Sequence, residues 1–173
     1  MKLYLILFAL VLTGSALQSQ PTQSPAELRG KAETLAKDGN WKEALEVSRV
    51  ILETVDDGES GKDLMTSLRY LRELRQIADA DELIESAVSR HAENWALLRE
   101  AAKSYQQLQH SGFLLDGEFR RGYNRGGGTY VGCMGRDRVR STQLVLQALD
   151  HVDKNDRGAI SNLYSELAGY LAM

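Results

Sequence analysis

Residues 28–52, LRGKAETLAKDGNWKEALEVSRVIL, contain two amphipathic helix patterns that are separated by a short turn. In the first pattern Leu28, Ala32 and Leu35 recur at i, i+4 and i+7, which places them on one face of a helix. Residues 38–40, Asp-Gly-Asn, have the composition of a turn, and the second apolar pattern begins directly after them. The stretch therefore predicts two helices joined by a tight connection.

The same alternation of apolar patterns and short breaks continues along the chain to residue 108. The later patterns cover residues 41–52, 64–74, 80–88 and 95–108, and the third helix is expected to end at Ala78-Asp79. Ala44 and Ala80 both open the second helix of a pair, and they lie 36 residues apart. This offset is close to the period of about 34 residues of the tetratricopeptide repeat.

Residues 25–173 are accordingly predicted to form one all-α domain of tetratricopeptide-like antiparallel helix pairs. The first pair carries the resemblance, with its large–small–large first helix and with residues 40–44, Asn-Trp-Lys-Glu-Ala, at the turn into its second. An ordinary helical bundle with accidental periodicity is the alternative. A last apolar pattern over residues 160–171 resembles the first helix of a fourth repeat. We expect the chain to be a fragment of a larger protein rather than to end there in a cap.

The composition is that of a globular and mainly helical protein. Hydrophobic residues make up 43% and charged residues 26%, and no proline follows Pro25. One cysteine excludes a disulfide framework within the chain, and three histidines leave little for a metal centre. We therefore expect no metal and no cofactor. The net charge of −3 gives no general reason to expect a nucleic-acid partner.

Residues 1–16 have the organisation of a secretory signal peptide. Lys2 supplies a positive charge, Leu3–Leu12 is apolar, and small residues follow, so Ala16-Leu17 is the expected cleavage site. An apolar run of this length spans about 15 Å as a helix, half of a bilayer core. We expect an extracytoplasmic protein, periplasmic or secreted, with no stable membrane span after cleavage and a polar lead-in over residues 17–24.

A glycine-rich insert over residues 110–136 interrupts the third helix pair. Eight of the 15 glycines lie between Gly112 and Gly135. The arginines make residues 110–140 net positive, whereas residues 17–109 are net negative. Asp116-Gly117 between short apolar runs predicts a β-hairpin over residues 112–119.

Nine residues of the insert are the candidate ligand-binding residues: Phe113, Phe119, Arg120, Arg121, Tyr123, Arg125, Gly126, Gly127 and Gly128. In one interpretation the glycines adopt positive φ, and the arginines reach across to acidic residues of the repeats. In a second, backbone amides and arginines bind an anionic ligand. A third, an RNA-binding arginine–glycine segment, is disfavoured by secretion.

Catalytic residues are scarce, and the chain is not predicted to be an enzyme. A Cys–His nucleophile pair is one alternative, and it would need Cys133 to meet the distant His110 or His151 in the fold. A lone structural thiol in a tight loop is the favoured interpretation.

Three segments of the insert, residues 112–119, 125–128 and 136–140, together resemble the N-terminal helical-repeat region of large secreted bacterial proteins of the alpha-2-macroglobulin type. The resemblance covers the chain from about Pro25 onward and implies an extracytoplasmic protease-trapping or defence protein with β-sandwich domains downstream. This chain departs from that pattern, because Met134-Gly135-Arg136 follows Cys133 and no Cys-x-x-Gln thioester motif is formed. Only the extracytoplasmic location and a scaffold role are carried over.

The predicted function is that of an extracytoplasmic helical-repeat module for protein–protein interaction or scaffolding, as the N-terminal part of such a larger protein. A protein partner is expected, and the oligomeric state is left open. The alternative is a small secreted anion- or glycan-binding protein that uses the arginine- and glycine-rich insert. These two functions differ in their expected salt dependence, because a ligand held by Arg120, Arg121 and Arg125 should weaken steeply with ionic strength.

Overall fold

A computed structural model describes residues 23–172, which form seven α-helices and one three-stranded sheet. The helices are α1 (Pro25–Lys37), α2 (Trp41–Thr54), α3 (Ser60–Glu73), α4 (Ala80–Arg90), α5 (Trp95–Gln107), α6 (Met134–His151) and α7 (Arg157–Ala172). The strands are β1 (Ser111–Leu115), β2 (Glu118–Arg121) and β3 (Thr129–Gly132). The expectation of a mainly helical fold is confirmed. The predicted signal peptide, residues 1–16, lies outside the described residues.

Local sequence accounts for where the first helix begins and ends. Ser24 accepts a hydrogen bond from the backbone N–H of Glu27, whose side chain in turn accepts from the Ser24 N–H. This capping box, followed by Pro25 in the first turn, stabilises the helix start. Gly39 follows the helix with a φ of 80°, a conformation that glycine adopts at little cost. The turn predicted at residues 38–40 is confirmed.

The third helix is shorter than predicted. It ends at Glu73 rather than at Ala78-Asp79, because Arg75 has a φ of 57° and the Gln76 N–H bonds to Leu71 O at 2.9 Å. This is the hydrogen-bond pattern that closes helix C-termini. A short 3-10 helix, Ile77–Asp79, follows and packs against β2 of the insert.

The core is continuous through the helical part of the protein. Neighbouring helices pack in the succession α1, α2, α3, α5, α6 and α7, whereas α4 has fewer contacts with α2, α3 and α5. Small residues permit the close approach of α1 and α2, since Ala32 and Ala44 are both buried. Ala44 is fully buried, so its predicted place in the helix interface is confirmed. None of the helices described between residues 23 and 172 combines the length and apolarity that crossing a membrane would require.

The insert folds as an antiparallel sheet of strand order β2-β1-β3. Leu115 pairs with Glu118 across the two-residue turn, in which Asp116 and Gly117 both have positive φ. That is the turn geometry that favours an Asp-Gly pair, so the predicted hairpin is confirmed. The third strand was not predicted. It pairs with the other edge of β1, with Ser111 opposite Gly132.

Candidate functional site

Arg121 joins the insert to the helices from the end of β2. The side chain is completely buried, and its guanidinium donates to Asp81 on α4, to Asp137 on α6 and to the Gln109 carbonyl. The bonds from Nη1 and Nη2 to Asp137 measure 2.8 and 2.9 Å, and the Nη2 bond to Asp81 measures 2.8 Å. With the Nε bond to Asp81, all five guanidinium N–H groups are used.

Asp137 is the common acceptor of this buried network. It lies in the first turn of α6, where a negative charge is favourable, and it also bonds to Arg136 and to His110. Burial alone would raise the pKa of Asp137. The hydrogen bonds from Arg121, His110 and Arg136 outweigh burial and hold the pKa of this carboxyl well below its usual range.

Cys133 belongs to the same network as a thiol. Its Sγ lies 3.3 Å from Asp137 Oδ2 and 3.5 Å from Arg121 Nη1. Burial raises the pKa of Cys133, and the hydrogen bond to Asp137 adds to this effect by favouring the protonated form. His110 Nδ1 lies 2.9 Å from the same Asp137 oxygen. The carboxylate thus stands between the two side chains, whereas a nucleophile pair needs the histidine to contact the sulfur.

The candidate aromatic residues differ in exposure. The Phe113 and Tyr130 rings make an edge contact with centroids 5.7 Å apart, and the Arg136 guanidinium lies 4.3 Å from the centroid of the Phe119 ring. Phe113 and Phe119 are therefore half-buried within the insert. Tyr123 is 82% exposed. Of the aromatic candidates Phe113, Phe119 and Tyr123, Tyr123 alone presents most of its side chain to solvent.

The three consecutive glycines form the turn that leads into β3. Gly126 is exposed, whereas Gly127 and Gly128 have φ values of 92° and 94°. The Asn124 side chain donates to Gly127 O at 2.7 Å, and a Cβ on Gly128 would lie 2.6 Å from Leu114 O. A positive φ and a close approach to β1 explain glycine at positions 127 and 128 without a ligand.

A cleft of about 880 Å³ opens between the insert and the ends of α3 and α5. We call it the arginine cleft, and its lining residues are Arg72, Arg75, Ile77, Ala78, Gln107, Leu108, Gln109, Arg121, Tyr123 and Arg125. None of these ten residues is acidic. Two of the candidate residues, Tyr123 and Arg125, lie at the insert side of the cleft, and Arg121 contributes from beneath with its donors already occupied. Arg120 is exposed on β2 and is not part of the lining.

The remaining arginines of the cleft carry the available positive charge. Within residues 23–172 the arginines that form ion pairs are Arg29, Arg99, Arg121, Arg136 and Arg140. Arg72, Arg75 and Arg125 are exposed and are not among them. Arg125 was among the residues identified from the sequence, whereas Arg72 and Arg75 at the distant end of α3 were missed. Arg75 lies beyond the helix with a φ of 57°, so helical spacing gave no signal that the two side chains line the same cleft.

Residues 23–172 hold no group of three or more histidine, cysteine, aspartate or glutamate side chains arranged to bind a metal ion. Comparison of the chain with protein-family models gives no match, and comparison with curated proteins gives none either.

Proposed function

We propose that this chain is a non-catalytic extracytoplasmic module of tetratricopeptide-like helix pairs that binds a protein partner in the arginine cleft. The observation that carries the proposal is the cleft itself, an open concavity with charged, amide and apolar lining residues. Such a mixture of an apolar floor and a few polar groups suits a recognition site. The resemblance to alpha-2-macroglobulin-type proteins adds a scaffold role at the N-terminus of a larger secreted protein.

Two of the three expected helix pairs support the repeat organisation. Of the pairs α1–α2, α3–α4 and α5–α6, the first and the third pack closely, whereas α3 and α4 have few contacts. The first helices are also linked, since Arg29 on α1 bonds to Asp63 on α3 and α3 packs on α5. Stacked pairs of this kind present an extended concave surface to a partner. The arginine cleft lies at the ends of α3 and α5, where that surface meets the insert.

The buried network supports a binding role for the insert. Arg121 ties β2 to α4 and α6 through two carboxylates, so the wall of the cleft is formed before any partner arrives. A preformed wall lowers the ordering cost of association. A flexible linker would have no such anchor.

A variant that fills the cleft tests the proposal. Gln107 lines the cleft and is exposed on α5, so Gln107→Trp should obstruct binding without disturbing the core. Gln143→Trp, at an exposed position on α6, is the matched control. We expect affinity capture from the extracytoplasmic fraction of the source cells to yield a protein that the wild type and Gln143→Trp retain and Gln107→Trp loses. If no retained protein shows this pattern, the proposal is wrong.

The second candidate function is the binding of an anionic glycan. It is favoured by the exposed Tyr123 ring beside Arg125, since an aromatic face and a guanidinium together suit a charged sugar. Titration with a sulfated oligosaccharide tests it. Saturable binding that Tyr123→Ala weakens would support this function, and binding unchanged in that variant would count against it.

A further inference from the structure

We infer that the arginine cleft binds an acidic, extended segment of a partner polypeptide, with carboxylates paired to Arg72, Arg75 and Arg125. This inference rests on the proposed function and names the chemistry of the partner. It differs from the sequence-based expectation, in which Arg120, Arg121 and Arg125 held the ligand. Arg121 has no free donor, and Arg120 lies outside the cleft.

The charge of the arginine cleft favours an anionic occupant. The chain has a net charge of −3, yet the charged residues that line the arginine cleft are all arginines. Elsewhere in the described part of the chain, arginines such as Arg29, Arg99 and Arg140 lie against carboxylates. Three like charges gathered without a counter-charge repel one another. An anionic occupant would relieve that repulsion, and the bidentate geometry of a guanidinium fits a carboxylate.

The shape of the arginine cleft favours an extended occupant. A smaller cavity of about 220 Å³ adjoins the arginine cleft and shares Arg72, Gln107 and Leu108 with it. The two form one groove between α3 and α5, and Arg69 extends the basic side of this groove. Arg69 and Arg72 are roughly 4.5 Å apart along the helix axis. The positive charge thus continues along α3 from the arginine cleft to Arg69, which favours several carboxylates on an extended chain over a single small anion.

The other residues that line the arginine cleft suit a polypeptide. Gln107 contributes a side-chain amide that matches a peptide group in both donor and acceptor, and Leu108 with Ala78 gives an apolar floor. An extended polypeptide presents backbone amides and aliphatic carbons together with its acidic groups. A sulfated glycan would leave the apolar part of this floor without a partner.

Fluorescence anisotropy with a labelled peptide of alternating glutamate and serine tests the inference on the purified chain. The control peptide replaces each glutamate with glutamine. We expect the glutamate peptide to bind at about 0.15 M ionic strength, where exposed long-range attraction is largely screened, and the glutamine peptide not to bind. The double variant Arg72→Gln/Arg125→Gln should weaken binding by about tenfold or more, because each lost charge-assisted pair contributes to affinity.

The matched control is Arg120→Gln/Arg157→Gln, which changes the net charge equally at exposed positions outside the cleft. Circular dichroism and thermal melting of both double variants establish that each is folded. The control should bind the glutamate peptide as the wild type does. If both double variants bind the glutamate peptide equally weakly, the peptide is attracted by the overall charge of the protein and not by the cleft. If a sulfated oligosaccharide binds and the glutamate peptide does not, the cleft is a glycan site. Either result overturns the inference.

Failure of this inference is distinguishable from failure of the proposed function. A protein that Gln107→Trp loses but Arg72→Gln/Arg125→Gln retains would overturn the acidic segment and leave the cleft as the interface. If Gln107→Trp loses no protein, the proposed function fails, whatever the glutamate peptide does.

Discussion

Arg121 is the residue on which the position of the insert depends. It is completely buried, and its five donors meet two carboxylates and one carbonyl. Removing a guanidinium and a carboxylate from water costs free energy. Loss of either partner therefore leaves the other as a buried charge without compensation. Hydrogen bonds to Asp81 and Asp137 overcome the effect of burial and raise the pKa of Arg121, so the side chain stays charged.

We expect Arg121→Met to lower the free energy of unfolding by about 3–5 kcal/mol, because Asp137 then loses its main partner while buried. The double variant Arg121→Met/Asp137→Leu should lose clearly less than the sum of the single variants. Urea unfolding of all four proteins measures this coupling. Arg120→Met, on the same strand but exposed, is the control and should change stability by about 0.5 kcal/mol or less. Additive losses would show that Arg121 and Asp137 do not interact.

Cys133 is the one cysteine of the chain. Burial raises the pKa of its thiol, and the thiolate is the form that reacts. We expect a thiol reagent at pH 8 to label the native protein more than about tenfold more slowly than the urea-unfolded protein. Rapid labelling of the native protein would instead indicate an activated thiolate and would reopen the Cys–His interpretation.

At the scale of elements, the sheet of the insert depends on one close approach. Gly112 on β1 pairs with Arg121 on β2, and a Cβ at position 112 would overlap the Arg120 carbonyl oxygen and crowd the Phe119 ring. The strands cannot separate freely, because β1 pairs with β3 on its other edge. Glycine at position 112 is thus a packing requirement of the hairpin.

We expect Gly112→Ala to destabilise the protein by about 1–3 kcal/mol, since backbone atoms of two paired strands must move. Gly126→Ala is the matched control within the insert. A Cβ at position 126 would have no neighbour closer than 3.6 Å, and Gly126 is not among the glycines with positive φ. Gly126→Ala should therefore change the free energy of unfolding by no more than about 0.5 kcal/mol. Thermal melting compares the two variants, and equal melting temperatures would contradict the strand register.

At the scale of the whole molecule, electrostatic contacts join elements that are distant in sequence. Asp137 links α6 to the insert, Asp57 links the α2–α3 connection to α1 through Arg29, and Glu85 links α4 to α6 through Arg140. The pKa of each of these three carboxyls is lowered. For Asp57 the hydrogen bond from Arg29 is the largest cause, and for Glu85 the bonds from Arg140 and Tyr105 outweigh burial.

The lowered pKa values set the direction of the pH dependence. A carboxyl whose pKa is lower in the folded state stabilises that state above its unfolded pKa of about 4, and the contribution is lost as pH falls toward the folded pKa. We therefore expect these groups to change the free energy of unfolding little between pH 7 and pH 5. The free energy of unfolding should decrease once the pH is below about 4. Urea unfolding at each pH measures this profile. Asp137→Asn should reduce the loss of stability below about pH 4, and Glu85→Gln should reduce it to a smaller extent. If the loss is unchanged in both variants, these carboxyls are not its cause.

The predicted signal peptide bears on the location of the protein. Small residues follow the apolar run Leu3–Leu12, so the exported protein should begin at or near Leu17. N-terminal sequencing of the protein from the extracytoplasmic fraction checks this. Membrane-bound protein that retains Met1 would contradict both the cleavage and the proposed location.

The sequence by itself determined the elements whose causes are local. Apolar spacing located α1, α2, α4 and α5, the Ser24-Pro25 cap marked a helix start, and Asp116-Gly117 marked the hairpin turn. These features depend on residues within about one helical turn or one β-turn of each other, so periodicity and turn chemistry are sufficient. The early end of α3 was missed, because its apolar pattern continues through Leu74 while the backbone already turns at Arg75.

Only the tertiary structure decided the roles of the arginines. From the sequence Arg120, Arg121 and Arg125 were equivalent members of a basic insert. Arg121 is buried because folding brings Asp81 and Asp137, 40 and 16 residues away, to the end of β2. Arg125 lines the same cleft as Arg72 and Arg75, because folding brings the insert to the end of α3. Which charges are neutralised and which stay available depends on contacts between distant segments, and no local pattern encodes those contacts.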